Sequence, residues 1–147
     1  MIPDEVLAIL QPLVQSMEGC RLTSYQDPNK VWTIGWGHTG PSVGPNQVCT
    51  QQEADDWLAG DLSTHYNQTV AISPTLAQQP AGRQAAITDF VYNLGAGTYT
   101  HSTLRSAVDC GAWQNVKIQL ALWVHAGGKV EPGLVRRREA EIALIDA

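Results

Sequence analysis

Two carboxylates, a hydroxyl and an imidazole fall in one short piece of chain running from Glu18 to Gly40. Glu18 and Asp27 could form the acid pair that glycoside hydrolysis needs, one protonating the leaving oxygen while the other activates water or attacks the sugar. Thr33 carries a hydroxyl that both donates and accepts, as holding a water in line requires. To act as the donor near neutral pH, Glu18 must keep its proton, which partial burial at a helix end favours. Each residue also has an ordinary use. A Glu before Gly19 can be a solvated helix end, an Asp before Pro28 can serve the turn, and Thr33 is a common strand residue. Other chemistries find less support. His38 has no second ligand at a suitable spacing, so it reads as an orienting group, and no metal or cofactor is expected. No glycine elbow surrounds any serine, and Cys20 has no histidine beside it in sequence, which leaves no nucleophilic triad.

The elements that must position these groups are legible from pattern. Val6, Leu7, Leu10, Leu13, Val14 and Met17 recur at helical spacing, with Pro3 near the start. Pro12 interrupts them, so the helix is expected either to kink there or to begin anew, and to end near Glu18 with Gly19 as its stop. Asp27-Pro28-Asn29-Lys30 is a tight-turn sequence joining two extended runs, Leu22 to Gln26 and Val31 to Gly37. Strand alternation predicts Trp32, Ile34 and Trp36 on a packed face. Thr33, Gly35 and Gly37 would line an open floor opposite. Thr50-Gln51-Gln52-Glu53 is a capping box opening a long helix to about Val70. Helices follow from about Pro80 to Asn93, near Thr103 to Val108, through Trp113 to Val124, and from Pro132 onward. On the last, steps of 100° place Arg138 on the apolar stripe with Leu134, Val135, Ile142 and Ile145, and turn Arg136 and Arg137 to solvent. A buried Arg138 needs an acid, with Glu18 among the candidates.

With 147 residues the chain is long enough for one domain with a real core. Residues 1–73 hold two Lys/Arg against eight acids, and the remainder seven against six. No part is basic enough to expect nucleic acid as a partner. Three cysteines, widely spaced, are expected as free thiols, although a Cys20–Cys49 bond would bear on Glu18. No apolar run approaches the length of a membrane span and no signal peptide is visible.

Spacing brings these readings together. Glu18, Asp27 nine positions on, and Thr33-Ile34-Gly35-Trp36-Gly37-His38 resemble the phage-type lysozymes, or endolysins, a family of glycoside hydrolases. Two further blocks agree, in order: Phe90-Val91-Tyr92-Asn93-Leu94-Gly95 with Ser102-Thr103-Leu104, and Trp123 to Lys129 with Pro132 to Glu139. The resemblance spans nearly the whole chain. It implies an α+β, mostly helical, two-lobed fold: a small β-lobe over about 18–49, a connecting helix over about 51–70, and a helical lobe over about 74–147 plus the N-terminal helix. It implies a muramidase that cleaves the β-1,4 bond between N-acetylmuramic acid and N-acetylglucosamine in peptidoglycan by an inverting route. Glu18 would be the acid, with Asp27 and Thr33 activating water. His38, Thr39, Tyr92, Asn93 and Ser102 would lie toward the sugar. Lytic transglycosylation, which needs only one acid, is the alternative reaction, and a non-catalytic wall-binding protein the alternative class. A monomer is expected, held in the host cytoplasm until its release to the periplasm and cell wall.

Overall fold

The computed structural model describes residues 1–147. Helix α1 spans Asp4–Met17 without a break at Pro12. It ends because Glu18 turns extended, at φ −100° and ψ 151°, while its backbone N–H still donates to the Val14 carbonyl. The expected glycine stop is therefore not used: Glu18 itself makes the exit, three residues before strand β1, Arg21–Gln26, begins.

β1 pairs antiparallel with β2, Trp32–Gly35, through the Asp27 turn. The opposite edge of β1 is covered by the segment before Thr50, where Ser24 N–H donates to Gln47 O and Cys49 N–H to Leu22 O. The expected extended run to Gly37 stops early. Gly35 and Gly37 both take positive φ, and Ile34 and His38 exchange backbone hydrogen bonds around the turn they make. Gly35 has a packing reason too, since a Cβ there would meet Ala54 Cβ at 3.1 Å. Gly35 thus faces helix α2, not an open floor, and Thr33, expected on the same floor, is buried too, so the predicted alternation fails from Thr33 on.

α2, Gln51–Ile72, opens on the expected capping box, with Glu53 N–H donating to Thr50 Oγ1 and Thr50 N–H to Glu53 Oε1. A 3₁₀ turn, Pro74–Gln78, leads into α3, Ala81–Leu94. From Gln84 to Val91 every residue of α3 is buried, so it is the central helix, wrapped by α1, α2 and the C-terminal helix. Then come α4, Ala96–Thr100, α5, Thr103–Asp109, and α6, Trp113–Ala121. A two-residue-per-strand hairpin, β3 His125–Ala126 and β4 Lys129–Val130, turns on Gly127 and Gly128. Helix α7, Pro132–Ile145, closes the chain. α4 and this hairpin were not expected from sequence.

The core divides as the lobes do. Phe90, Val91, Tyr99, Leu104, Val116 and Leu120 belong to the larger cluster, between α3 and the C-terminal helices. Val6, Leu10, Val14, Leu58, Leu62 and Tyr66 form a second between α1, α2 and α3, and Ile34, Cys49 and Ala54 a third that seats the hairpin on α2. Cys20, Cys49 and Cys110 are free thiols. No helix is long and apolar enough to cross a membrane.

Candidate active site

Glu18 sits at the hinge between α1 and β1 because the extended φ/ψ that ends the helix also turns its side chain toward α3 and α7. Its Oε1 accepts from Arg137 Nη1 at 2.6 Å. Arg137 in turn grips Asp89 with a two-pronged contact, Nε to Oδ2 at 2.9 Å and Nη2 to Oδ1 at 2.8 Å. Burial alone would weaken the charge on Arg137, but Asp89 and then Glu18 outweigh it and hold the guanidinium firmly protonated. Arg137, expected in solvent, is therefore the partner of Glu18, and Arg138 is not.

Arg138 is buried as expected, with a different acid. Its Nη2 donates to Glu141 Oε1 at 2.7 Å and to Asn93 Oδ1 at 2.8 Å, and the guanidinium lies 5.1 Å over the Phe90 ring. The expected stripe was centred on aliphatic residues. The residues actually buried on α7 are Arg137, Arg138, Glu141 and Ile145. At 100° per residue these four share one arc of about 100°, with Arg137 at its edge. The arc follows the carboxylate that α3 presents.

Two cavities share the Glu18 carboxyl. One, of about 360 Å³, is lined by Glu18, Trp36, Gly37, Thr39, Asp61, His65 and Tyr92. The other, of about 210 Å³, includes Glu18, Asn93, Glu131, Leu134, Arg136 and Arg137. An acid with open space on two sides suits a substrate longer than the site. In the first cavity the Tyr92 hydroxyl donates to Trp36 O at 3.1 Å, and burial, then the Glu18 and Asp61 charges, push its ionisation well above the ordinary phenol range. It is a neutral donor. Gly37 beside it is required by its φ of +89°, since a Cβ there would make only an ordinary contact with the Tyr92 oxygen, at 3.8 Å.

His38 lines a neighbouring cavity on the β-lobe and not the one that holds Glu18. Its Nδ1 pairs with Asp61 Oδ2 at 2.8 Å and its ring stacks on Trp57 at 5.0 Å. It thereby aims Asp61, which does line the Glu18 cavity. His65, one helical turn on, donates from Nδ1 to the Asp61 carbonyl at 2.7 Å. No group of three or more His, Cys, Asp or Glu side chains is placed to hold a metal ion.

Asp27 and Thr33 are tied to each other through Val31. Val31 N–H donates to Asp27 Oδ1 at 2.9 Å, as does Asn29 N–H at 2.8 Å, and Thr33 Oγ1 donates to Val31 O at 2.9 Å. Asp27 Oδ2 makes no hydrogen bond within the protein. Thr33 is 4% exposed and, with its proton committed to Val31, presents lone pairs. Ser102 is spent on structure: its Oγ accepts from Arg105 N–H, capping α5, and donates to Tyr99 O. It lines neither cavity beside Glu18. Of the residues expected at the sugar, Thr39 and Tyr92 share the first cavity, Asn93 the second, and His38 and Ser102 neither.

Asp61, Asp89 and Glu141 were not singled out in sequence, and Arg137 was turned to solvent, although a signal existed. Asp89 interrupts the run Ala85-Ala86-Ile87-Thr88-Asp89-Phe90-Val91, and an ionisable residue there requires a cation.

The chain is similar to known proteins over most of its length. The chain is 34% identical over 140 residues to an endolysin of Bacillus phage PZA, covering 92% of this chain and 52% of that protein. It is 37% identical over 126 residues to a SAR-endolysin of Bacteriophage PS119, covering 85% and 74%. The chain thus spans about half the length of the first relative and about three quarters of the second. Among solved structures, the muramidase domain of SpmX from Asticaccaulis excentricus superposes with a TM-score of 0.86 at 25% identity, over 100% of this chain and 98% of that one. The phage lysozyme family model matches residues 15–141, a stretch that holds Glu18, the hairpin, Asp89 and the paired arginines. The chain belongs to the phage lysozyme family.

Proposed function

We propose that this protein is a muramidase that hydrolyses the β-1,4 bond between N-acetylmuramic acid and N-acetylglucosamine in peptidoglycan. The observation that carries the reading is Glu18, a carboxyl held by Arg137 and open to a cavity on each side, inside a family-wide match. In this reading Glu18 protonates the glycosidic oxygen. Asp27, with Oδ1 fixed by the turn and Oδ2 free, takes a proton from a water that the Thr33 hydroxyl helps to hold. Water then attacks the far face of the sugar and inverts the anomeric carbon. Thr39, Tyr92 and Asn93 offer the polar contacts along the groove. In this reading the protein acts as a monomer, kept from its substrate in the host cytoplasm, and lyses the cell once it reaches the wall.

The test is digestion of purified sacculi, with mass analysis of the fragments and early NMR of the new reducing ends. Muropeptides with an α reducing end are expected. A β-anomer first would indicate a covalent intermediate on Asp27. A 1,6-anhydro product would mean transglycosylation, and no release at all would favour a wall-binding role. Glu18→Gln should lower turnover by at least about 100-fold, the range for a general acid. Its unfolding midpoint should barely move, because Gln still accepts from Arg137 and Arg137 keeps Asp89. A Glu18→Gln protein that retains most of its activity removes Glu18 from the mechanism.

A further inference from the structure

Behind Arg137 the hydrogen bonds continue into the interior. Three carboxyl groups, Glu18, Asp89 and Glu141, meet two guanidiniums, Arg137 and Arg138. Asp89, Glu141 and Arg138 are at most 1% exposed and Arg137 4%. With every acid ionised the cluster carries one net negative charge in a place that solvates charge poorly. One proton makes it neutral.

The geometry says where that proton goes. The Glu141 carboxyl is within hydrogen-bonding reach of Asp89. Two ionised carboxylates are both acceptors and cannot bond to each other. Asp89 already receives two N–H bonds from Arg137, which favour its charged form. Glu141 receives one charge-assisted bond, on Oε1, while its Oε2 is buried and no protein donor reaches it. A proton on Oε2, donated to Asp89, satisfies both groups. In the same direction, burial first and then the Asp89 carboxylate raise the Glu141 ionisation well above the ordinary glutamate range.

We propose that Glu141 keeps a proton at neutral pH and donates it to Asp89, and that this buried pair is a positioning device for Glu18. The second half rests on the muramidase reading. An unopposed arginine beside Glu18 would favour its ionised form, the wrong form for an acid catalyst. Asp89 neutralises Arg137 from behind, so Arg137 holds the Glu18 carboxyl in place without imposing a full net charge on it. The proton on Glu141 allows Asp89 to stay ionised. Other charged or titratable groups face the system from each packed element: Tyr92 on α3, Asp61 and His65 on α2, and, at the far end of α7, Lys117 of α6 paired with Asp146.

The shared proton is tested on the wild-type protein by NMR titration with glutamate carboxyl ¹³C labels. One glutamate should remain protonated at neutral pH, and its signal should be missing from Glu141→Gln, whose amide supplies the same donor. If every glutamate titrates in the ordinary range, the proposal is overturned, and this needs no variant to fold. The positioning role is tested by the pH profile of Asp89→Asn on sacculi. Arg137 then bears on Glu18 alone, so the basic limb of kcat should move to lower pH by about one unit, the size of one nearby charge. KM should hold. An unchanged profile overturns that role. Should Asp89→Asn not fold, Arg137→Lys keeps the charge but loses the shared fork, and turnover must fall with KM held. Wild-type protein inert on sacculi would overturn the muramidase reading and the positioning role together, while the NMR result on the proton stands by itself.

Discussion

At the residue scale the informative feature is the run Arg136-Arg137-Arg138, three like residues with three fates. Arg136 is exposed, while Arg137 joins Glu18 to Asp89 and Arg138 joins Glu141 to Asn93. Truncating one member of a buried pair leaves an unpaired charge, a loss of about 3–5 kcal/mol. Arg137→Ala should lie in that range. Arg138→Ala should cost somewhat less, since a protonated Glu141 tolerates the loss better than an ionised Asp89. Arg136→Ala should stay within about 0.5 kcal/mol, the usual surface value. Urea unfolding of the three variants would contradict the assignment if the losses were equal. Sequence spacing correctly turned Arg138 inward, but it could not see that the buried arc extended to Arg137. Helix periodicity gives relative directions, and only the facing carboxylate of α3 sets which arc is buried.

At the element scale, α3 and α7 pack closely enough that one position admits only glycine. A Cβ on Gly82 would lie 2.5 Å from the Leu144 carbonyl oxygen, which is backbone and cannot swing away. Alanine in a helix interior gains about 0.5–1 kcal/mol over glycine. Overpacking costs about 1–3 kcal/mol. The second effect wins, so Gly82→Ala should lower the unfolding temperature. Gly60→Ala on α2, where a Cβ meets nothing within 4 Å, should raise it. If Gly82→Ala were the more stable of the two, the α3–α7 contact would be looser than described. The helices α1, α2, α3, α5, α6 and α7 were legible because each has a periodic face, a cap or a breaker. α4 has neither a long apolar period nor a cap, and β3 and β4 are two residues each, too short for alternation to register.

At the scale of the whole molecule, the buried acid makes stability depend on pH. Glu141 keeps its proton in the fold to a higher pH than in the unfolded chain. Its contribution is therefore fully present below the unfolded glutamate value of about 4.3 and is lost as pH rises, because the unfolded chain then releases its proton first. Glu141→Gln has no such proton to retain. Its stability relative to wild type should thus improve steadily between about pH 4 and 7, as followed by urea unfolding at a series of pH values. A difference independent of pH would mean that Glu141 is ionised in the fold.

The sequence by itself determined the family, the two-lobed α+β plan and the candidacy of Glu18, Asp27 and Thr33, since all three depend on local spacing. Caps, turns and periodic faces act within a few residues, and so they can be read along the chain. Only the tertiary structure decided that Glu18 is held by Arg137 across 119 positions of sequence. The same holds for Arg137 facing Asp89, Ser102 capping a helix, and Gly35 packing on α2. Those outcomes follow from which faces meet, and a buried charge takes whichever partner the packing brings within reach.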